Sequence, residues 1–289
     1  MDLFQYDFMI RAMIGALIIG LAAPSLGIYL VQRRLSLIGD GIGHVALTGV
    51  GVGLLLNQSP VLAAVIVSAI GAIGVELIRE RGRTSGDLAL ALLFYGGIAG
   101  GVVLVSLSDD ASSNSLIQYL FGSLITTSPT DIVLIGVLGA LVLIAMLGLR
   151  PALFAVCNDE EYARVSGLPV RTLNLLMAVT TAVTVTIAMR TVGLLLVSAL
   201  MVIPVAAAQQ VTRGFRGTMA AAMAIGVGAA GAGVIFSAEV DTPPGATTVI
   251  LALALFVAIA VGSAAWRMMR RRSQPPREVE PPDVVLQKA

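Results

Sequence analysis

Long apolar runs separated by short polar turns are the feature that most limits what this chain can fold into. A helix needs about 20 apolar residues to cross the hydrocarbon core of a bilayer, and 57% of the 289 residues are hydrophobic while 12% are charged. Nine runs are long enough to be candidate spans: about 8–31, 36–57, 60–79, 88–107, 129–149, 171–190, 193–211, 217–237 and 245–266. Because lipid offers the backbone no hydrogen-bond partners, the sequence predicts an all-α polytopic membrane protein with about nine transmembrane helices.

The arginine distribution predicts how these spans are oriented. Basic residues follow every odd-numbered run: Arg33 and Arg34, then Arg79, Arg81 and Arg83, then Arg150, Arg164 and Arg171, then Arg213 and Arg216, and finally Arg267, Arg270, Arg271 and Arg272. Arg11 and Arg190 fall on the opposite side. Short loops rich in arginine stay in the cytoplasm, so the sequence predicts an N-terminus outside, a C-terminus in the cytoplasm and an odd number of spans.

Two connections between the runs are too long to be simple turns. The outer one contains an apolar stretch at 115–128 that is typical of a short helix at the membrane surface. The inner one begins with acidic residues at 158–161 and ends at Gly167-Leu-Pro169, a helix-stop signal. A short amphipathic helix is therefore expected at about 158–169 on the cytoplasmic side.

The composition changes sharply after the last apolar run. Residues 267–289 are dominated by proline and charge, which predicts a disordered cytoplasmic tail. Residues 1–266 are predicted to form a single transmembrane domain. Within it, Glu76 is interpreted as an ion-pair partner of Arg79 or Arg83 at helical spacing.

An acid and the only histidine of the chain lie within an apolar, glycine-rich run. Asp40 and His44 are four residues apart, a spacing that puts both side chains on one face of a helix, a turn apart. Ionisable groups at membrane depth are costly and usually face a transport path or a bundle interior, so the pair is a candidate cation site. Two other interpretations stay open at this point: a hydrogen-bonded core histidine and an aspartate that caps the helix.

The glycines around this pair favour close helix packing over nucleotide binding. Gly41-x-Gly43-x-x-Ala46 fits the dinucleotide-binding pattern as a string, but no strand is predicted before it. Small residues at 39, 41, 43, 49, 51 and 53 are instead expected to let neighbouring helices approach.

The motifs of an ATP-hydrolysing motor are absent from the sequence. A phosphate-binding loop needs the pattern G-x-x-x-x-G-K-S/T, and the only lysine is Lys288. Neither H-E-x-x-H nor G-x-S-x-G occurs, and the single cysteine, Cys157, excludes a cysteine-based zinc cluster within one chain. The chain is therefore expected not to be an enzyme, and no catalytic residue is assigned.

Four stretches resemble the zinc/manganese permease family of ABC transporters, and the similarity runs through nearly the whole of 8–266. They are LIGDGIGHVALTGVGVG at 37–53, RTSGDLALALLFYGG at 83–97, YLFGSLITTS at 119–128 and TVGLLLVSALMVIPVAAAQQ at 191–210. The first resembles the family's second helix, where an aspartate and a histidine four apart contact the metal, a role that transfers to Asp40 and His44. Many members have serine before the histidine, whereas this chain has Gly43.

The inner connection carries a further resemblance. Glu161-Tyr-Ala163-x-x-x-Gly167 is similar in spacing to the coupling-helix motif of importer permeases, E-A-A-x-x-x-G. The resemblance implies that an ATPase contacts this segment, through Asp159, Glu160, Glu161, Ala163 and Gly167.

The resemblance also implies partners and cargo. It implies a multi-pass permease in a bacterial cell membrane that forms a homodimer. The dimer is expected to bind two copies of a cytoplasmic ABC ATPase and to receive metal from an extracytoplasmic metal-binding protein. Nucleic acid is not an expected partner, and no permanently bound cofactor is expected. The transported ion is expected to be zinc, with manganese or iron as the alternative within the family. The alternative from another class is an ion-gradient-driven secondary transporter with Asp40 and His44 as a proton relay.

Overall fold

The computed structural model describes residues 6–80, 86–108, 120, 122 and 128–272, which form eleven α-helices. Their bounds are α1 Asp7–Gln32, α2 Ile38–Leu55, α3 Pro60–Glu80, α4 Gly86–Ser106, α5 Pro129–Gly148, α6 Arg150–Asn158, α7 Glu160–Val165, α8 Val170–Val192, α9 Leu194–Val211, α10 Phe215–Val240 and α11 Pro244–Arg272. Since no strand occurs within those ranges, the prediction of an all-α membrane protein is confirmed.

Each of the nine predicted apolar runs lies on one of these helices. Eight of the helices are long and apolar enough to cross a membrane: α1–α5, α8, α10 and α11. The remaining run coincides with α9, whose apolar part, Leu196–Val211, is shorter. α9 follows α8 after one residue, Gly193, whose φ of 88° lies in the region that favours glycine. The chain therefore changes direction there without a loop.

Glycines set the distances at which the helices pack. α2 packs mainly against α4 and α3, and α1 packs mainly against α10. A Cβ atom added at Gly49 of α2 would lie 2.5 Å from the Ala64 Cα of α3, and one added at Gly20 of α1 would lie 2.8 Å from the Gly226 carbonyl oxygen of α10. The expectation that α2 presents small faces to its neighbours is confirmed, because these backbones are too close for any side chain.

The inner connection contains two helices where the sequence analysis predicted one. The second, α7, matches the prediction at 158–169: it begins after Asp159 and is followed by Gly167, whose φ is 83°. The first, α6, was not predicted. It begins with Pro151 in its first turn and buries Leu153 and Val156, a pattern that favours a helix start and an apolar face.

The end of the last helix corrects a predicted boundary. α11 continues to Arg272 and so includes the first six residues of the expected tail, 267–272. Arg267 donates hydrogen bonds back to the Ser263 carbonyl and hydroxyl one turn earlier. The predicted tail from residue 273 onward, most of the predicted outer segment at 115–128, and the side chain of Arg190 lie outside the described residues.

Candidate functional site

Helix α2 brings Asp40 and His44 together as their spacing predicts. His44 Nε2 lies 3.9 Å from Asp40 Oδ1. The histidine is 8% exposed, whereas the Asp40 side chain is 28% exposed. His44 Nδ1 is buried and has no hydrogen-bond partner among the described residues. The imidazole is therefore not a core histidine held by hydrogen bonds on both sides, and its Nε2 atom is the one directed towards Asp40.

The Asp40 carboxylate also faces a cavity of about 230 Å³ between α2 and α4. The lining of the cavity consists of Leu37, Asp40, Gly41, Leu90, Ala91, Phe94 and Tyr95. Phe94 packs edge-on against the His44 ring, with ring centroids 4.4 Å apart. One wall of the cavity is thus fixed by the same aromatic ring that holds the histidine in place.

The separation of the two side chains suits a shared divalent ion. Two ligands each about 2.1 Å from a tetrahedral Zn²⁺ lie roughly 3.4 Å apart, so a closure of about 0.5 Å would let both atoms contact one ion. Carboxylate oxygen and imidazole nitrogen are both ordinary ligands of zinc and of manganese. Within the described ranges no group of three or more His, Cys, Asp or Glu side chains is gathered as a metal site. The pair therefore leaves coordination positions for water or for other ligands.

Gly97 of α4 determines how closely α4 approaches this pair. A Cβ atom at Gly97 would lie 2.6 Å from the backbone atoms C of His44 and N of Val45. Thr48 Oγ1, one turn further along α2, donates a 2.8 Å hydrogen bond to the Gly97 carbonyl oxygen. Because α4 lies against the backbone of His44 itself, any displacement of α4 would move the histidine and the cavity wall.

Replacing Gly97 by alanine is expected to force α4 away from α2 and to destabilise the protein by about 1–3 kcal/mol, the usual cost of overpacking. Phe94 would then also lose its position against His44. Gly96→Ala is a matched control, since a Cβ atom at Gly96 meets nothing within 4 Å. Thermal unfolding measured for both variants checks the prediction, and equal unfolding temperatures for the two would contradict it.

A second polar cluster joins α7 to three other helices and is centred on Glu160. Its carboxylate accepts a 2.9 Å hydrogen bond from Arg33 at the end of α1 and lies 3.9 Å from Arg79 Nη2 of α3. Asn174 of α8 accepts a 2.8 Å hydrogen bond from Arg33 and contacts Glu160 at 3.5 Å. Arg79 also donates to both oxygens of Glu76, at 2.6 and 3.0 Å. The predicted Glu76–Arg79 pair is confirmed.

Arg33 contributes a guanidinium that is largely removed from solvent. Its side chain is 7% exposed. Burial lowers its pKa and the neighbouring Arg79 lowers it further, whereas the carboxylates of Glu76 and Glu160 raise it. Together these effects lower the pKa of Arg33, so the two glutamates offset only part of the cost of its burial, and Glu160 is the one that contacts it from α7.

The other residues assigned to ATPase coupling take different positions on α7. The Asp159 side chain accepts a 2.9 Å hydrogen bond from the Tyr162 backbone N–H and caps the helix, while Ala163 is fully buried. Glu161 and Gly167 are exposed. Tyr162 is 69% exposed and Val165 is 89% exposed. The segment thus combines a buried anchor with an exposed surface that carries both apolar and charged side chains.

Sequence reasoning missed the residues that surround these two sites. Phe94 and Gly97 lie within the stretch at 83–97 that was recognised as a resemblance, but nothing in their spacing relates them to His44. Asn174 and Arg33 are separated by 141 residues, so only the tertiary structure brings them together. The one available signal was a polar asparagine, Asn174, in the first turns of an apolar run.

Comparison with known proteins places the chain in a family. The model of the ABC 3 transport family matches residues 5–263. The chain is 29% identical over 253 residues to the high-affinity zinc uptake system membrane protein ZnuB of Haemophilus influenzae, covering 88% of this chain and 97% of that protein. It is 30% identical over 256 residues to the manganese transport system membrane protein MntC of Halalkalibacterium halodurans, covering 88% and 87%.

A solved structure shares the fold. A chain in the structure of PsaBC from Streptococcus pneumoniae in complex with Fab is 24% identical, with a TM-score of 0.83 and coverage of 93% of this chain and 97% of that one. Further relatives are named as iron transport proteins, so the names of the relatives span three metals. Taken with the multi-pass helical fold, the family match shows that this chain belongs to the ABC 3 transport family and is the bacterial membrane permease of a divalent-metal ABC importer.

Proposed function

We propose that this chain carries zinc through the membrane and that Asp40 and His44 contact the ion in the translocation path. The observation that carries the proposal is the Asp40–His44 pair itself, 3.9 Å apart beside a cavity, on a helix of a chain from a metal-transport family. An acid and an imidazole at membrane depth need a functional reason, since each is costly to place there.

A site with two protein ligands per chain suits transport better than storage. Conduction requires an ion to bind well enough to enter and weakly enough to leave. A closed four-ligand site, as in structural zinc centres, holds its ion tightly. One carboxylate and one imidazole, completed by water or by a second copy of the chain, bind more weakly and can release the ion after the path has switched sides.

The driving force comes from separate ATPase subunits. In this proposal the permease is a homodimer with nine spans, an outer N-terminus and a cytoplasmic C-terminus, and residues 1–266 form its transmembrane domain. Two ATPase subunits bind the inner connection at 158–169, and an extracytoplasmic binding protein delivers the metal. The arginine distribution supports the orientation, and the absence of a phosphate-binding loop from the sequence supports a separate motor.

Glu160 anchors the coupling segment to the transport domain. An ATPase that moves α7 would pull on Glu160, which is bonded to α1 through Arg33 and lies against α3 through Arg79. α3 in turn packs against α2 along Gly49 and Gly53. Movement of α7 can therefore reach the helix that carries Asp40 and His44 through a continuous set of contacts.

Replacing Gly167 by arginine is expected to weaken ATPase binding strongly and to abolish stimulated transport. The φ of 83° disfavours any residue with a Cβ atom, and the added side chain would project from the proposed interface. Gly167→Asn is the control, because asparagine tolerates the left-handed region best among other residues. Co-purification with the ATPase checks the prediction. The coupling assignment is wrong if Gly167→Arg retains and stimulates the ATPase as the unchanged protein does.

The choice of zinc over manganese or iron is tested by metal content. Cells that lack this chain should lose zinc under limiting zinc and keep their manganese under limiting manganese. The reverse result would make the chain a manganese importer, as its 30% identity to a manganese transport protein allows. Uptake that collapses with an uncoupler while ATP is maintained would instead support a gradient-driven transporter.

A further inference from the structure

Three adjoining cavities surround the turn between α9 and α10, at the end of the molecule where the arginines cluster. The largest, about 500 Å³, lies between the ends of α9 and α11. The other two, of about 330 and 490 Å³, continue around the turn to α6. Four arginines contribute to their walls: Arg150, Arg213, Arg216 and Arg267. No carboxylate is among the described residues that line them, so the region is positively charged.

Polar groups in the largest cavity are arranged to hold an anion. Arg213 and Arg267 both line it, together with Gln210, Ser263 and Trp266. Arg267 is oriented by a 3.0 Å hydrogen bond to the Ser263 hydroxyl and a 3.4 Å hydrogen bond to Gln210 Oε1. Neither arginine forms a salt bridge within the described part of the chain. Guanidinium groups bind phosphate through paired hydrogen bonds.

The start of α10 adds further donors beside this cavity. Its N-cap residue, Gly214, has no side chain to cap the helix, and the first bond to its carbonyl comes from Thr218. The backbone N–H groups of Phe215, Arg216 and Gly217 are therefore left at the positive end of a 26-residue helix. Arg213 precedes the N-cap residue Gly214 and lines two of the three cavities.

Apolar surface leads from this cavity along α11. Val211, in the cavity wall, is 59% exposed, and Leu255, which precedes Gly262 by two turns on the same face of α11, is 38% exposed. Trp266 stands at the end of the apolar run of α11 and is 58% exposed. Tryptophan is enriched at the boundary between hydrocarbon and headgroups. The cavity thus opens where a lipid phosphate and its acyl chains would lie.

We propose that the cavity between the ends of α9 and α11 binds the headgroup of an anionic phospholipid, with Arg213 and Arg267 on the phosphate and the acyl chains along α11. A soluble phosphate would use the arginines but not the apolar surface. An acidic protein surface would likewise bind the arginines without contacting the apolar surface. The lipid would join α11 to α9, the short helix that follows α8 with a single residue between them.

The test uses the purified full-length permease in complex with its ATPase. Native mass spectrometry in detergent, with added phosphatidylglycerol or phosphatidylcholine, measures how many lipids stay bound. The unchanged complex should retain phosphatidylglycerol preferentially. Arg213→Gln/Arg267→Gln should lower its affinity about 30-fold, the loss expected for two cationic contacts with an anionic lipid. Both positions are exposed, so the fold should survive the change.

A matched variant separates a pocket from general charge. Arg34→Gln/Arg171→Gln removes the same charge at two exposed positions outside the three cavities and should keep the preference. Equal losses in the two double variants would overturn the proposal, as would displacement of the lipid by millimolar inorganic phosphate. It would also be overturned if Arg213→Gln/Arg267→Gln retained phosphatidylglycerol but released the ATPase, because the cavity would then be a protein contact.

Discussion

Replacing Asp40 or His44 by alanine is expected to lower ATP-driven zinc uptake by about 10- to 100-fold. A loss of this size already follows when a residue that only supports a metal ligand is removed, so the loss of a ligand itself should be at least as large. Asp40 supplies the only carboxylate in the wall of the cavity between α2 and α4 among the described residues. His44 supplies a buried imidazole whose Nδ1 has no other partner there. Removing either should leave the ion with a single protein ligand from that chain.

The two single variants are also expected to be non-additive. If both side chains bind one ion, the zinc uptake of the double variant should be nearly the same as that of the less active single variant. The reason is that removing one member of a pair that acts as a unit already removes most of the effect of the other. Asp7→Ala, an exposed acid in the first turn of α1, serves as the control for loss of a carboxylate. Uptake of radioactive zinc into proteoliposomes that contain the complex checks all four proteins. Normal uptake by the double variant would show that the metal follows another route.

Replacing Glu160 by alanine is expected to destabilise the permease by about 3 kcal/mol, the lower end of the range for breaking a buried ion pair. The Arg33 side chain, 7% exposed, would lose its contact with α7 and keep Asn174 as its hydrogen-bond partner. The lower end applies because the Glu160 side chain is 33% exposed. A lower unfolding temperature should accompany a loss of transport.

Glu161→Ala is the matched control for this prediction. Glu161 is the exposed neighbour of Glu160 and forms no salt bridge within the described ranges. Its replacement should leave the unfolding temperature unchanged and weaken ATPase binding, whereas Glu160→Ala should lower the unfolding temperature. Glu160→Gln keeps the shape and removes the charge, so it should retain part of the Arg33 contact. Equal unfolding temperatures for all three variants would refute an anchoring role for Glu160.

Helix positions could be predicted from the sequence because the bilayer imposes a length and a polarity on each span. Nine apolar runs matched nine helices, and the Asp40–His44 geometry followed from a four-residue spacing alone. The helix α6 was not predicted because it is short and amphipathic, and its nine residues are too few to span a membrane. The end of α11 was set too early, since arginines that stop a span do not stop a helix.

Contacts between helices could not be predicted, because they depend on how separate parts of the chain pack. Phe94 reaches His44 only because Gly97 lets α4 lie against the α2 backbone. Glu160 was assigned to the ATPase-coupling segment because it directly precedes the motif at 161–167, and the structure shows that its carboxylate also contacts Arg33 inside the permease. A motif fixes the position of a residue along the chain, whereas the direction of its side chain depends on the tertiary structure.

The central claim is that zinc passes between Asp40 and His44. Anomalous diffraction at the zinc edge, from the zinc-loaded complex of permease and ATPase, tests it most directly. We expect a peak about 2.1 Å from both the Asp40 carboxylate and an imidazole nitrogen of His44, with the two ligand atoms closer than the 3.9 Å found here. A zinc peak elsewhere within the spans, with neither side chain in contact, would contradict the account.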